Sequence, residues 1–200
     1  YCAKVGPTLK KILENFPNDV RVVFKHNALA FHKRAMPAAE ATMAAHAQGK
    51  FWEMHDIVFA NMRALTDADL EKYAQQAGLD MAAYKKAMST RQYKKWVEAD
   101  MALAEKVRSR GTPSFYVNGR NIRGAQPYEN FESLVKEELE KAQKLCGDMP
   151  GSKCYDERII AKGKVFEPLD SKVNTFTIEG RPFMGNPKGD IVITEFSDFQ

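Results

Sequence analysis

Apolar residues recur along the chain at two spacings, and each spacing predicts a different kind of element. Between Tyr1 and Phe16 they recur at helical spacing, which predicts an amphipathic helix at the start of the chain. A Pro-Asn-Asp sequence then breaks the pattern, and Val20 to Lys25 forms a short apolar run typical of a buried strand. We therefore expect a helix that leads directly into a strand.

Helical patterns follow one another from residue 33 to residue 108, with almost no strand pattern among them. Thr66 and Asp80 have the residue types typical of helix N-caps, and Gly78 ends the helix between them. The remaining helical stretches cover residues 37–48, 51–63 and 92–108. We expect a block of about four helices that is inserted into the rest of the fold.

The strongest hairpin pattern of the chain lies immediately after this helical block. Ser114 to Val117 and Arg120 to Arg123 are strand-like, and they flank Asn118-Gly119, a pair that favours a two-residue hairpin turn. A last amphipathic helix is predicted from Pro127 to Leu145.

Composition changes after Leu145, where Gly, Pro, Lys and Asp become frequent and regular spacing disappears. Residues 146–173 are therefore predicted to form a linker. Two strand patterns follow at 174–178 and 191–196, separated by turn-forming sequence.

Overall composition limits the classes of function. The 200 residues, of which 44% are hydrophobic, suffice for one well-packed domain with an insertion. The 30 basic and 26 acidic residues are interleaved, and without a basic stripe we expect no nucleic-acid binding. No apolar stretch approaches the ~20 residues that cross a bilayer, and the start has no signal-peptide pattern. We therefore expect a soluble chain from which any export signal has been removed or left out.

The three cysteines are unequally placed. Cys2 stands at the extreme N-terminus, whereas Cys146 and Cys154 lie close together in a polar stretch. A local disulfide is the favoured interpretation of that pair, with two free thiols as the alternative. A metal site is disfavoured because no histidine is near in sequence and two thiolates do not complete a zinc shell. We expect no metal or cofactor, and a structural disulfide would imply an oxidising compartment.

The two ends of the chain fit together as parts of one redox motif. With a Cys-Pro pair between Gln200 and Tyr1, the join would run strand, Cys-Pro-Tyr-Cys, helix, which is the layout of a dithiol site. Moving residues 174–200 to the front gives the order β-β-α-β-helices-β-β-α. This order resembles the DsbA-like family of thioredoxin-fold thiol-disulfide oxidoreductases. Five stretches support the resemblance: Ile193 to Gln200, Tyr1-Cys2-Ala3-Lys4, Val23-Phe24-Lys25-His26, Gly49 to His55, and Arg110 to Phe115.

The resemblance implies an α/β, thioredoxin-like fold with an all-helical insertion. Residues 1–32, 109–145 and 174–200 would build the thioredoxin fold, 33–108 the insertion, and 146–173 a linker. Its strand order would be cyclically permuted, or the tail strands would be supplied to another domain or chain.

Three physical situations would produce such split ends: a circular permutant, a piece of a tandem protein, or a strand-swapped oligomer. If two residues are merely missing between the ends, Gln200 and Tyr1 should lie within roughly 11 Å of each other.

The resemblance also assigns site residues. Cys2 corresponds to the more buried, resolving cysteine and follows Tyr1 of the motif. The attacking cysteine and the proline after it are the two residues that the chain lacks between its ends. Thr112-Pro113 corresponds to a cis peptide that lies against the dithiol and leaves the backbone free to pair with extended substrate. An ordinary X-Pro bond at the start of a strand is the alternative.

Glu195 corresponds to a buried acid beneath the dithiol that could relay a proton to or from the resolving cysteine. The alternative is a polar edge residue that faces solvent. Lys25 is a candidate charge partner of this acid. For His26 and His32, capping or surface hydrogen bonding is the favoured interpretation.

The implied activity is the formation or exchange of disulfides in exported proteins, in a periplasmic or otherwise extracytoplasmic location. Expected partners are unfolded or reduced protein substrates and a membrane or soluble redox partner. Isomerase or reductase activity is the nearest enzymatic alternative. The other class is a non-catalytic thioredoxin-fold module that recognises extended peptides beside Thr112-Pro113. The lone Cys2 favours this module, whereas the surrounding motifs favour the enzyme.

Overall fold

The computed structural model describes residues 1–147, 149, 151–155, 157 and 178–200. These residues form two compact units. The first comprises Tyr1–Phe24 and the described part of Gly111–Phe196, and the second comprises Lys25–Arg110 and Ser197–Gln200. The elements, in chain order, are α1 (Cys2–Asn15), β1 (Val20–His26), α2 (Ala35–His46), α3 (Phe51–Ala60), α4 (Asp67–Gln76), α5 (Met81–Ser89), α6 (Lys94–Lys106), β2 (Ser114–Val117), β3 (Arg120–Arg123), α7 (Tyr128–Cys146), α8 (Gly151–Cys154), β4 (Phe183–Gly185) and β5 (Ile191–Ser197).

Within the described residues, five strands form one mixed sheet in the order β3-β2-β5-β1-β4. The pairs β2–β3, β2–β5 and β1–β4 are antiparallel. At the start of β5, Ile191 N donates to Asp19 O at 2.8 Å. At its end, Ser197 O accepts from Asn27 N at 2.8 Å. Because both bonds join corresponding ends of the strands, β5 and β1 run parallel.

Helices α1 and α7 cover one face of the sheet in the first unit. Phe115 of β2 packs edge-on against Phe131 of α7, with the ring centroids 5.0 Å apart. Side chains alternate along a strand, so Val117 shares this face with Phe115. Both lie in one hydrophobic core with Val5 and Leu9 of α1. The apolar stripes of the two helices therefore hold the first unit together.

The second unit contains five helices, α2 to α6, where the sequence pattern predicts about four. The predicted N-caps are present. Thr66 and Asp69 form a capping box at the start of α4, and Asp80 accepts from Ala83 N at 2.9 Å at the start of α5. These caps satisfy backbone donors that have no partner within their own helix.

The last four residues of the chain pack within this second unit. Phe199 is buried, and its ring centroid lies 4.7 Å from that of Phe59 and 5.8 Å from that of His55. Phe59 and His55 lie on α3. The end of the chain is therefore anchored to a helix of the predicted insertion.

The structure adds two elements that the sequence pattern does not predict. β4 (Phe183–Gly185) has only three residues between turns, too few to show an alternating pattern. α8 is a short helix inside the predicted linker 146–173. Most of that linker, and all but the last residue of the predicted strand 174–178, lie outside the described residues.

Candidate dithiol site

Cys2 is the first residue of α1, and Tyr1 is its N-cap residue. Within the described part of the chain, Cys2 is the free cysteine, and it is 8% exposed. Tyr1 is 82% exposed, and Lys4 Nζ lies 5.4 Å from the centroid of its ring. The unpaired N–H groups and the dipole of a helix N-terminus favour negative charge, so this position suits a thiolate.

The orientation of Cys2 follows from the buried stripe of α1. Cys2, Val5, Leu9 and Ile12 are the buried residues of the helix, and their spacing of three or four positions places them on one face. Val5, Leu9 and Ile12 belong to the core that α1 forms with the sheet and α7. Cys2 therefore lies on the side of α1 that packs against the sheet.

Glu195 lies on the sheet face that α1 and α7 cover. In the ladder between β5 and β2 it stands directly opposite Phe115, and residues opposite each other share a face. Phe115 points to α7, so Glu195 points to the same layer. Glu195 is 3% exposed, and β5 is flanked by β2 and β1, so the alternative of a solvent-facing edge residue is wrong.

Thr112 and Pro113 stand directly before β2. Their peptide bond is cis, as the resemblance implies. Pro113 is buried and Thr112 is half-buried. Pro113 O accepts from Gly124 N at 3.0 Å, on the far side of the hairpin. The two residues thus lead into the strand whose Phe115 faces Glu195.

Lys25 lies at the end of β1 and has a partner that the sequence did not indicate. Its Nζ donates to Asp100 Oδ1 of α6 at 3.1 Å. Asp100 shares the buried stripe of α6 with Val97 and Ala104, and a charged residue in an apolar stripe is the signal that could have found it. The suggested pairing of Lys25 with Glu195 stays a prediction.

Two histidines of the sequence analysis occupy different environments. His26 is buried, with its ring 6.3 Å from that of Phe51 and 6.0 Å from that of Phe199. His32 Nδ1 lies 2.9 Å from Asp198 Oδ2, in agreement with the hydrogen-bonding interpretation. Sequence reasoning missed Asp198, whose side chain is fully buried.

Cys146 and Cys154 form a disulfide, with their Cα atoms 5.5 Å apart, as predicted. Both cysteines are buried despite the polar sequence around them. Over the described ranges, histidine, cysteine and carboxylate side chains form no group of three or more that could hold a metal ion. None of the helices described here is long and apolar enough to span a membrane.

A family model for thioredoxin matches residues 1–137, which include Cys2 and Thr112-Pro113. The chain is 38% identical over 135 residues to the Na(+)/H(+) antiporter NhaA 3 of Salinispora tropica, covering 67% of the chain and 20% of that protein. It is 36% identical over 136 residues to NhaA 1 of Salinispora arenicola, covering 68% of the chain and 21% of that protein. The NhaA antiporter of Herminiimonas arsenicoxydans is 34% identical over 136 residues, covering 68% of the chain and 22% of that protein.

The alignments thus span about a fifth of the length of these curated relatives. No solved structure matches the chain. The family match covers more than half of the chain, including the start of α1 and the approach to β2. The chain belongs to the thioredoxin family.

Proposed function

We propose that this chain carries part of a protein thiol-disulfide oxidoreductase of the DsbA-like class, which forms or exchanges disulfides in exported proteins. The observation that carries the proposal is the placement of Cys2. Cys2 is the first residue of α1 and lies on the side of the helix that packs against the sheet. Glu195 points to the same layer. A thiol at a helix N-terminus, with a buried carboxyl group in the sheet layer against which the helix packs, is suited to thiol-disulfide exchange.

In the proposed oxidation, a substrate thiolate attacks the first cysteine of the enzyme disulfide and forms a mixed disulfide. Cys2 leaves as a thiolate, and Glu195 supplies the proton that neutralises it. A second substrate thiolate then attacks the substrate sulfur of the mixed disulfide and releases the first enzyme cysteine. The substrate gains a disulfide, and the enzyme gains two electrons as a dithiol, which a redox partner must reoxidise.

The first cysteine of this scheme is proposed to stand, with a proline, between Gln200 and Tyr1. Under this proposal, β5 and α1 frame the dithiol as a strand and a helix, although they lie at opposite ends of the chain. A circular permutation, a tandem protein or a strand-swapped assembly would each bring them together.

The disulfide between Cys146 and Cys154 supports an extracytoplasmic location, because structural disulfides persist in oxidising compartments. Unfolded or reduced proteins are the proposed substrates. An extended substrate segment would pair with the backbone beside Thr112, next to the cis peptide bond.

The test uses the full chain with Cys-Pro added ahead of Tyr1, assayed for insulin reduction and for oxidation of a reduced, unfolded protein. We expect turnover in both assays. Two matched controls, a chain with Ser-Pro added instead and one with Cys2→Ser, should show none. Turnover no greater than in these controls would overturn the proposal.

The second candidate function is a thioredoxin-fold module that binds extended peptides without catalysis. The single free cysteine of the described chain favours it. Two results together would identify the module. The chain without added residues would bind extended peptides equally well with and without Cys2→Ser, and the chain with Cys-Pro added would show no turnover.

A further inference from the structure

A second cluster of polar groups lies at the end of the chain, within the second unit. The carboxylate of Asp198 is fully buried, at 0% exposed. Its Oδ2 lies 2.9 Å from His32 Nδ1 and accepts from Leu29 N at 2.8 Å. Its Oδ1 accepts from Gln200 N at 3.0 Å. One carboxylate therefore holds both an imidazole ring and the end of the chain.

This contact fixes the tautomer of His32. An ionised carboxylate can only accept hydrogen bonds, so Nδ1 carries the hydrogen, and Nε2 of the neutral ring keeps a free lone pair. The His32 side chain is 27% exposed, and the ring of Phe31 packs edge-on against it with centroids 4.5 Å apart. An accessible imidazole that a buried carboxylate orients can take a proton from a nucleophile.

The end of the chain is fixed beside this ring. Gln200 Oε1 accepts from Arg34 N at 2.8 Å, while Gln200 N donates to the carboxylate that holds His32. Successive Cα atoms are about 3.8 Å apart, so a residue after Gln200 would stand one step from a backbone N–H that binds the same carboxylate as the imidazole.

We propose that His32, oriented by Asp198, accepts the proton of the attacking thiol that the family resemblance implies directly after Gln200. The inference rests on the proposed function, because that function requires a thiol there. In this step the S–H bond breaks, the Nε2–H bond forms, and the electron pair stays on sulfur as the thiolate. Asp198 is a positioning residue that stabilises the imidazolium.

The test uses the full chain with one cysteine added after Gln200 and with Cys2→Ser, so that the added thiol is the reporter. Its alkylation by iodoacetamide is followed from pH 5 to pH 9. His32→Gln can still donate to Asp198 but cannot take a proton, and we expect it to slow alkylation at pH 6 about tenfold or more. The rate at the alkaline limit should stay the same.

Asp198→Asn should move the pH profile in the same direction. The matched control is His46→Gln, a histidine at the end of α2 in the same unit, which should leave the profile unchanged. A His32→Gln profile that coincides with that of the parent reporter chain overturns the proposal.

A second measurement needs no substitution at His32 and decides the matter if the variants do not fold. In the isotopically labelled reporter chain, the ring resonances of His32 should follow the titration of the thiol and shift when it is alkylated. Ring resonances that do not change when the thiol titrates or is alkylated overturn the proposal. The two proposals can fail separately. If His32→Gln changes the pH profile of alkylation but the chain with added Cys-Pro shows no turnover, only the proposed function is overturned. If that chain turns over but His32→Gln leaves the pH profile unchanged, only the role of His32 is overturned.

Discussion

Lys25 Nζ and Asp100 Oδ1 lie 3.1 Å apart, and each of the two side chains is only 1% exposed. Asp100 Oδ2 also accepts from His26 N at 3.3 Å, so one carboxylate ties the end of β1 to α6. Removing one member of a buried ion pair leaves the other without compensation for its lost hydration.

Asp100→Ala should therefore lower the free energy of unfolding by about 3–5 kcal/mol, measured by urea denaturation at pH 7. The double variant with Lys25→Met and Asp100→Leu should recover most of that loss, because neither charge remains. On the same helix, Glu98→Gln removes the exposed pair with Lys94 and should cost less than about 1 kcal/mol. An Asp100→Ala chain as stable as the parent would contradict the prediction.

The disulfide between Cys146 and Cys154 joins the last residue of α7 to the last residue of α8. Tyr155 is buried, with the guanidinium carbon of Arg21 5.6 Å from its ring centroid. Closing a loop with a sequence separation of 8 should stabilise the fold by about 2.5 kcal/mol in the chain-entropy account. We expect replacement of both cysteines by serine to lower the free energy of unfolding by that amount. A reductant should then destabilise the parent chain and leave the serine variant unaffected.

The capping box at the start of α4 should contribute less to the free energy of unfolding than the disulfide does. Thr66 Oγ1 accepts from Asp69 N, and Asp69 Oδ2 accepts from Thr66 N at 2.9 Å. Thr66→Ala should lower the free energy of unfolding by about 1 kcal/mol. Thr66→Ser keeps the hydroxyl cap and should retain most of this stabilisation. Thermal unfolding of the two variants would measure the difference, and equal losses in both would show that the hydroxyl cap is not the cause.

The sequence predicts such local features well because their causes are local. Asn118 and Gly119 have positive φ values of 44° and 87°, the backbone that a two-residue hairpin turn requires, so the pair alone locates β2 and β3. Likewise, the apolar spacing of Cys2 to Asn15 is enough to predict α1 and its buried side.

Contacts between distant parts of the chain could not be predicted in this way. The partners Lys25 and Asp100 are 75 positions apart, and His32 and Asp198 are 166 apart. No local spacing links such residues, since tertiary packing alone brings them together. The resemblance predicts Cys2 and Glu195 as site residues, whereas the contacts of Asp100 and Asp198 are visible only in the fold.

Asp190 should make stability depend on pH. Its burial raises the pKa of its carboxyl group, and the nearby charge of Asp19 raises it further. A folded pKa above the unfolded value, about 3.9, means that the protonated form is favoured on folding. This stabilisation is fully present below the unfolded pKa and is lost as the pH rises through the folded pKa.

Asp190→Asn should therefore raise the free energy of unfolding at pH 7, and the gain should vanish toward pH 3. Urea denaturation across this range would measure it. Glu140→Gln, on the exposed side of α7, is the matched control and should give a smaller change. A gain that is the same at pH 3 and pH 7 would rule out Asp190 ionisation as its source.

Glu195 offers the sharpest test of the proposed proton transfer to the Cys2 sulfur. Because it faces the layer that holds α1, its replacement should affect the protonation of the Cys2 sulfur. In the chain with Cys-Pro added ahead of Tyr1, we expect Glu195→Gln to lower kcat for insulin reduction about tenfold or more near neutral pH, with KM nearly unchanged. Thr194→Val, a buried neighbour on the opposite face of β5, is the matched control and should retain kcat. Equal losses of kcat in both variants would assign the effect to disturbed packing of β5 and refute a proton-transfer role for Glu195.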